Sequence, residues 1–262
     1  MNNIVKFWPY ISLSARWEDD RNLNNTKPSD FIETTLSEWH PKQLHNFKIF
    51  TISHGKAKDY TYIAVVDNPK KVIIAHLGTD NRQSWIKNIF GTLKGLFKPF
   101  HEMNPAFGVP GYYAYHAIQD WFCNHFDIMN APVYNIMHSR GVRGNAMAYF
   151  FMTQSELKTY NIGYCTPPLW TRKGLRIAKR MGLCHRTLNV ISPGDPVDNL
   201  GFFKFKHCGI MVKFKEDHEW KLNKVPFGAH AFSSVTRNLI ETYKNDSEAV
   251  EYLRQRSFVD ET

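Results

Sequence analysis

From Tyr60 onward, apolar residues fall into short runs separated by turn-forming residues, and the spacing within each run predicts an element. Tyr60 to Val66 and Lys71 to Leu77 are rich in β-branched and aromatic side chains. Asp67-Asn68-Pro69-Lys70 between them predicts a hairpin. Val72 to Leu77 is almost wholly apolar, the pattern of a strand covered on both faces, and Gly78-Thr79-Asp80 ends it. Ile86, Ile89, Phe90, Leu93, Leu96, Phe97 and Phe100 recur at offsets of three and four and draw one helical stripe. Lys87, Lys94 and Lys98 fall outside that stripe, Gly91 and Gly95 weaken the helix, and Pro99 and Pro105 punctuate its end. A further helix is predicted over Tyr112 to Phe126, after Pro110-Gly111. Ala131 to Met137 reads as a buried strand, and the helix-compatible run Asn145 to Met152 follows it. Strands at Tyr160 to Cys165 and Thr187 to Ile191 flank a basic helix at Thr171 to Gly182. His207 to Phe214 alternates as an edge strand does, and His230 to Tyr243 is an amphipathic helix. The closing residues are predicted to be loose. Residues 1 to 59 carry no clear period. Trp8, Trp17, Phe31 and Trp39 suggest an arm that packs on the body, with a helix starting at Ser29-Asp30.

Strands alternating with helices predict an α/β fold, with a mostly parallel central sheet and helices on both faces. A chain of 262 residues suits one such domain, spanning 1–262. Within it, the 86–100 stripe is either a core-facing helix, part of a mobile lid over 86–110, or a basic interfacial helix that meets a lipid surface. No apolar run reaches the roughly 18 residues that a membrane span needs, and Pro9 and Arg16 interrupt any secretory core at the N-terminus. Cys123, Cys165, Cys184 and Cys208 are widely spaced and form no C-x-x-C. Free thiols in a cytoplasmic setting are therefore expected. The formal charge of +9 attracts anionic surfaces, either acidic head groups or nucleic acid. Local basic groups stand at Arg172-Lys173, Arg176 to Arg180 and Lys204 to Lys206. Cys123-x-His125 and Cys184-His185 lack the paired spacing of a zinc site, so no metal and no cofactor is expected.

The stretch Ala131 to Gly141 places one serine, Ser139, between a strand and a helix. A strand, a sharp turn and a helix with serine at the bend is the shape of a nucleophile elbow. An ordinary helix N-cap serine has the same local signature, and this segment alone does not separate the two. In an elbow, the backbone N–H of the next residue, Arg140, points to where a tetrahedral oxyanion forms. Serine needs a base to take its proton, and the base needs a third group to orient it. Asp195, in a Pro-Gly-Asp-Pro turn just after a predicted strand, and His230, at the start of the closing helix, stand in the order Ser, acid, His. Asp198 on the same loop and His218 in Glu216-Asp217-His218-Glu219 are weaker alternatives. His138 fits a packing neighbour better than a catalyst.

Five blocks in order resemble the class 3 lipase family of α/β-hydrolases, over about residues 60 to 245. Ala75 to Trp85 resembles the family's strand that runs into R-G-T with a tryptophan after it. Gly108 to Trp121 is similar to its G-F-x-x-A-Y segment, and His138-Ser139-Arg140-Gly141 to the heart of its G-H-S-x-G-G elbow. Gly194-Asp195-Pro196-Val197 and Ala229-His230-Ala231-Phe232 resemble its acid and base turns. The resemblance implies Ser139 as nucleophile, His230 as base, Asp195 as its orienting carboxylate, and Thr79 and Arg140 as oxyanion donors. It also implies hydrolysis of carboxylic esters, with a lipid or phospholipid as substrate. Transient contact with an anionic membrane surface fits the basic stripe, and nucleic acid is disfavoured. Three positions depart from the pattern: Leu77 replaces the arginine before Gly78-Thr79, Met137 the first elbow glycine, and Val142 the second of the paired glycines unless Gly144 takes that role. These departures keep a second class open, an inactive hydrolase-fold protein that binds an anionic partner. An acyltransferase or thioesterase would use the same three residues.

Overall fold

The structure is a computed structural model that describes residues 1–262 apart from 55–56, 68–69, 77–91, 93–96, 126–127, 129, 193, 200–203, 215–231 and 258–262; the side chains of 18–23, 53–54, 57–58 and 198–199 are also outside the description. Thr79, His218 and His230 therefore lie outside the described residues, as do Leu77 and residues 86–91 and 93–96 of the 86–110 stretch.

The described strands form one seven-stranded sheet whose spatial order is the chain order, β1 to β7. β1 (Leu44–His54), β2 (Ala57–Val66) and β3 (Lys71–His76) are antiparallel neighbours. From β3 on, β4 (Val133–His138), β5 (Thr159–Tyr164), β6 (Thr187–Ile191) and β7 (Ile210–Lys213) run parallel. The expected hairpin and mostly parallel sheet are both present. The edge strand is shorter than the 207–214 run suggested.

Crossovers between successive parallel strands share one hand. With the strands in sequential order, that hand places the connecting helices on one face. The helices α3 (Pro105–Cys123), α4 (Arg143–Gln154) and α5 (Arg172–Arg180) all lie there, in a core that includes Ile74, Phe107, Ile118, Ala146, Phe151 and Ala178. The opposite face of a nearly all-apolar sheet would be bare without the two ends of the chain. It is covered by α1 (Asn3–Asn24), α2 (Pro28–Trp39), α6 (Phe232–Thr242) and α7 (Ser247–Arg256), packed on Ile73, Ala75, Ile136 and Val190.

The N-terminal segment is thus a core element in its own right. Val5, Trp8 and Ile11 are fully buried. Tyr164, Tyr62 and Tyr252 donate hydrogen bonds to the carbonyls of Ile4, Tyr10 and Lys6 in α1. Burial on several sides leaves α1 little polar stripe, and Pro9 lies inside it, so its helical period was not legible. α7 was likewise not foreseen. It begins at an Asp246 cap that accepts from the N–H of Ala249, and it places Leu253 in the core where a loose tail was expected.

One further expectation is corrected. Pro105 opens α3, where its missing N–H has no helical partner to lose, and the Asn104 side chain caps the turn by accepting from Ala106 N. Pro110-Gly111 does not precede that helix but sits within it. A Cβ on Gly111 would stand 2.5 Å from that of Ala146, so this glycine lets α3 and α4 touch. Residues 105–110 of the candidate lid are therefore part of a core helix.

The expected set of four free thiols is corrected as well. Cys184 and Cys208 form a disulfide, and Cys123 and Cys165 stand outside it. The bond closes a loop with a sequence separation of 24 that contains β6 and Asp195. A closed loop of that size implies a stabilisation of about 3 kcal/mol. Reduction, or the Cys184→Ser/Cys208→Ser variant, should lower the urea unfolding midpoint accordingly, and an unmoved midpoint would show that the bond contributes nothing.

Candidate active site

β4 ends at His138 in extended backbone, and the chain then reverses. Ser139 sits at φ +54°, in the left-handed region that side chains other than glycine rarely adopt. A single 3₁₀ turn over Ser139–Val142 leads straight into α4. A helix-capping serine normally has extended backbone and bonds its own first turn. Ser139 has neither feature. The geometry is that of a nucleophile elbow.

Two glycines make this reversal fit. A Cβ on Gly141 would stand 2.4 Å from the carbonyl oxygen of His76 at the end of β3. A Cβ on Gly144 would stand 2.8 Å from His76 Nε2 and 2.9 Å from Asn135 Oδ1. Gly144 therefore takes the second close approach. Val142 has φ −51° and ψ −17°, ordinary helical values, and its side chain joins the core, so no glycine is needed there. Met137 is fully buried, and its in-register neighbour on β5 is Gly163.

Arg140 turns its side chain inward. Its guanidinium lies 3.4 Å from Asp59 Oδ2, and that of Arg143 lies 3.8 Å from the same oxygen. Arg143 also donates to the carbonyl of Tyr60 at 2.8 Å. Two buried cations thus share one buried carboxylate beneath the elbow. Burial lowers the Arg143 pKa to about 10, with Asp59 holding it up and Arg140 pushing it down, so it stays protonated at neutral pH. With its side chain so engaged, Arg140 has only its backbone N–H to offer a developing oxyanion.

Asp195 follows β6 and is buried. Its N–H donates to Ser192 O at 3.2 Å, and its Oδ1 accepts the N–H of Val197 at 2.9 Å. Gly194 before it has φ +77°. The turn fixes where the carboxylate stands, with one oxygen bonded to its own backbone as a turn aspartate does. Asp198 lies in the short 3₁₀ turn Pro196–Asn199. β4 and β6 flank β5, so Ser139 and Asp195 emerge at the same sheet edge, with strand axes roughly 10 Å apart.

The start of α6 is delivered to this edge. The Phe232 ring lies 4.3 Å from that of His138, which also meets Trp8 edge-on at 5.9 Å. Asn238 of α6 donates to Ser192 Oγ at 2.9 Å, and Trp8 donates to Thr236 Oγ1 at 2.8 Å. His138 is a packing residue of the apolar face. Among the described residues no cluster has the make-up of a metal site, and no helix is long and apolar enough to cross a membrane.

Sequence reasoning missed a buried polar seam under the elbow. Thr61 Oγ1 and His76 Nδ1 are 3.0 Å apart; Asn135 donates to Gly144 O and to Asn161 Oδ1; Asn161 in turn reaches Thr187. A signal was present: Tyr-Asn-Ile occurs at 134–136 and again at 160–162, and the two copies pair in register. Asp59 and Arg143 had no comparable signature, since neither belongs to a motif or a repeat.

These elements make up an α/β-hydrolase fold, with a serine elbow and an acid turn at one edge of the sheet. Among solved structures, the chain is similar to the triacylglyceride lipase of Rhizomucor miehei, with a TM-score of 0.57 at 14% identity, covering 82% of this chain and 80% of that one. Lipase II of Rhizopus niveus gives a TM-score of 0.55 at 14% identity, covering 81% of each chain. A triacylglycerol lipase described as having a serine protease triad gives 0.56 at 15% identity, covering 83% of this chain and 81% of that one. No protein-family model matches the sequence, and no curated protein matches it.

Removing the carboxylate of Asp59 would leave two guanidinium groups buried without a counter-charge. Asp59→Asn should cost about 3–5 kcal/mol in urea unfolding; a loss below about 1 kcal/mol, the range of an exposed pair, would show that the cluster is solvated. His76 supplies a second test. Burial first, then the Arg143 cation, holds its pKa well below 6.5. The unfolded chain therefore binds a proton below about pH 6.5 that the folded chain refuses. Stability is present above that pH and falls as pH drops, by up to about 1.4 kcal/mol per pH unit from this group. His76→Gln should flatten the fall between pH 7 and 5, and an unchanged slope would remove His76 as its source.

Proposed function

We propose that the chain is a serine ester hydrolase of the class 3 lipase type, acting on lipid esters. The observation that carries this is the left-handed Ser139 at the strand–helix reversal, with the first turn of α6 packed against the residue before it. His230 precedes that turn by two residues, and Asp195 stands two strands along the same edge.

In this mechanism His230 takes the proton of Ser139 as Oγ attacks the ester carbonyl, and Asp195 orients the ring and stabilises its charge. The N–H of Arg140 and Thr79 receive the oxyanion. The alcohol leaves with the proton from His230, and the acyl-enzyme is then hydrolysed by water activated by the same imidazole. The positive balance of the cluster beneath the elbow favours the negative charge that develops above it. The substrate class follows the similar structures, whose names describe triacylglycerol lipases. The Cys184–Cys208 bond favours an oxidising compartment over the cytoplasm expected from cysteine spacing.

A fluorophosphonate probe should label the protein at Ser139, and Ser139→Ala and His230→Ala should abolish labelling. Hydrolysis of a soluble short-chain ester should fall on the order of 10⁴-fold in Ser139→Ala. Undiminished labelling in Ser139→Ala, or no labelling of the wild type even with lipid present, would sink the proposal.

A further inference from the structure

The basic groups scattered along the sequence at 172–173, 176–180 and 204–206 become neighbours in the fold. Trp170 and Lys206 exchange backbone hydrogen bonds, Trp170 N to Lys206 O at 3.0 Å and Lys206 N to Trp170 O at 2.7 Å. Trp170 also bridges to Met103, and Met103 to Phe100. This small ladder holds the entry to α5. Thr171 caps the helix by accepting from Gly174 N, donates its hydroxyl to Glu102 Oε2, and is joined there by Lys173, whose Nζ lies 2.8 Å from Glu102 Oε1. A Cβ on Gly174 would stand 2.4 Å from the carbonyl of Glu102, so the helix is clamped against the turn.

Glu102 is occupied by Thr171 and Lys173 and acted on by the charge of Lys204. α5 itself contains no acidic residue. Arg172, Arg176, Lys179 and Arg180 are exposed, and none has an ion-pair partner among the described residues. Lys173, Arg176, Lys179 and Arg180 line an open groove of about 600 Å³. Like charges held this close repel, and a fold that fixes them on one rigid helix gains only when an anion neutralises them. Just before the ladder, Phe97 is 90% exposed, beside Lys98. An exposed aromatic ring near a cationic helix face is the pairing that lets a protein hold a membrane interface by partial insertion and by charge.

We infer that α5, with Lys204 and Lys206, is a docking surface for an anionic lipid bilayer and holds the hydrolase at its substrate's interface. This deepens, and rests on, the lipid-ester activity proposed above. Phe97 comes from the 86–100 stripe, which lies mostly outside the described residues, whereas α5, Lys204 and Lys206 do not. The chemistry recognised is a layer of phosphate or carboxylate head groups. Nucleic acid offers similar charge but no apolar layer for Phe97.

The test is co-sedimentation of the full chain with phosphatidylcholine vesicles, with and without phosphatidylserine, at low and high salt. Binding is expected only with phosphatidylserine and should weaken with salt. Arg176→Glu/Lys179→Glu/Arg180→Glu should weaken it on the order of 100-fold, and the matching glutamine triple variant by less; unchanged melting temperatures would confirm that both fold. Equal binding to neutral vesicles, or a charge-reversed variant that binds as tightly as wild type, overturns the inference. So does tight, salt-sensitive binding of single-stranded RNA without vesicle binding, which would give the surface to nucleic acid. Wild-type turnover of a soluble short-chain ester, measured alongside, reports on the hydrolase proposal by itself. Its absence would sink that proposal while vesicle binding still decides this one.

Discussion

The turn at Ser139 is possible only because the chain reverses directly on top of a neighbouring strand. Gly141 rests against the carbonyl of His76, at a separation that would put a Cβ 2.4 Å away. The position of Ser139 is thereby referred to the end of β3 instead of to a loop. The same crowding has consequences on both sides. Gly144 must clear His76 and Asn135, Gly111 must clear Ala146, and Arg140 has nowhere to go but inward, to Asp59. A backbone held in a sparsely populated region persists only when its surroundings over-determine it. The polar seam, the shared carboxylate and the glycine contacts supply that over-determination.

A second constraint comes from topology. Because the strands lie in chain order, the crossover helices crowd onto one face and leave the other to the two ends of the chain. Trp8 from α1 and Phe232 from α6 meet the ring of His138. The first and last parts of the chain therefore frame the edge where Ser139 and Asp195 emerge. Stability and site geometry are coupled there, since the packing that covers the sheet also sets where α6 begins.

Much of the fold was legible because strands and turns declare themselves locally. The run at 71–77, the hairpin before it and the strand at 187–191 each carry their pattern within a few residues. α1 was not legible, since burial on several sides removes the polar stripe that marks a helix and Pro9 argues against one; α7 buries only Ala249 and Leu253, too few positions to declare a period. The departures at Met137 and Val142 look like damage to an elbow when read in one dimension. In three dimensions Gly163 sits beside the first, and the second occupies ordinary helical backbone while Gly144 takes the close contact. Asp59 illustrates the limit. A carboxylate 81 residues from Arg140 in the chain cannot be paired with it by spacing.

The sequence by itself determined the order of strands and helices, the serine at a strand end and the acid turn after β6, because each depends on propensity and pattern within a short window. It also set the excess of positive charge. Only the tertiary structure decided which charges share a carboxylate, that Cys184 and Cys208 are bonded, and that three separate basic groups form one surface. Those outcomes depend on distances between residues far apart in the chain, and such distances exist only once the sheet has brought its connections together.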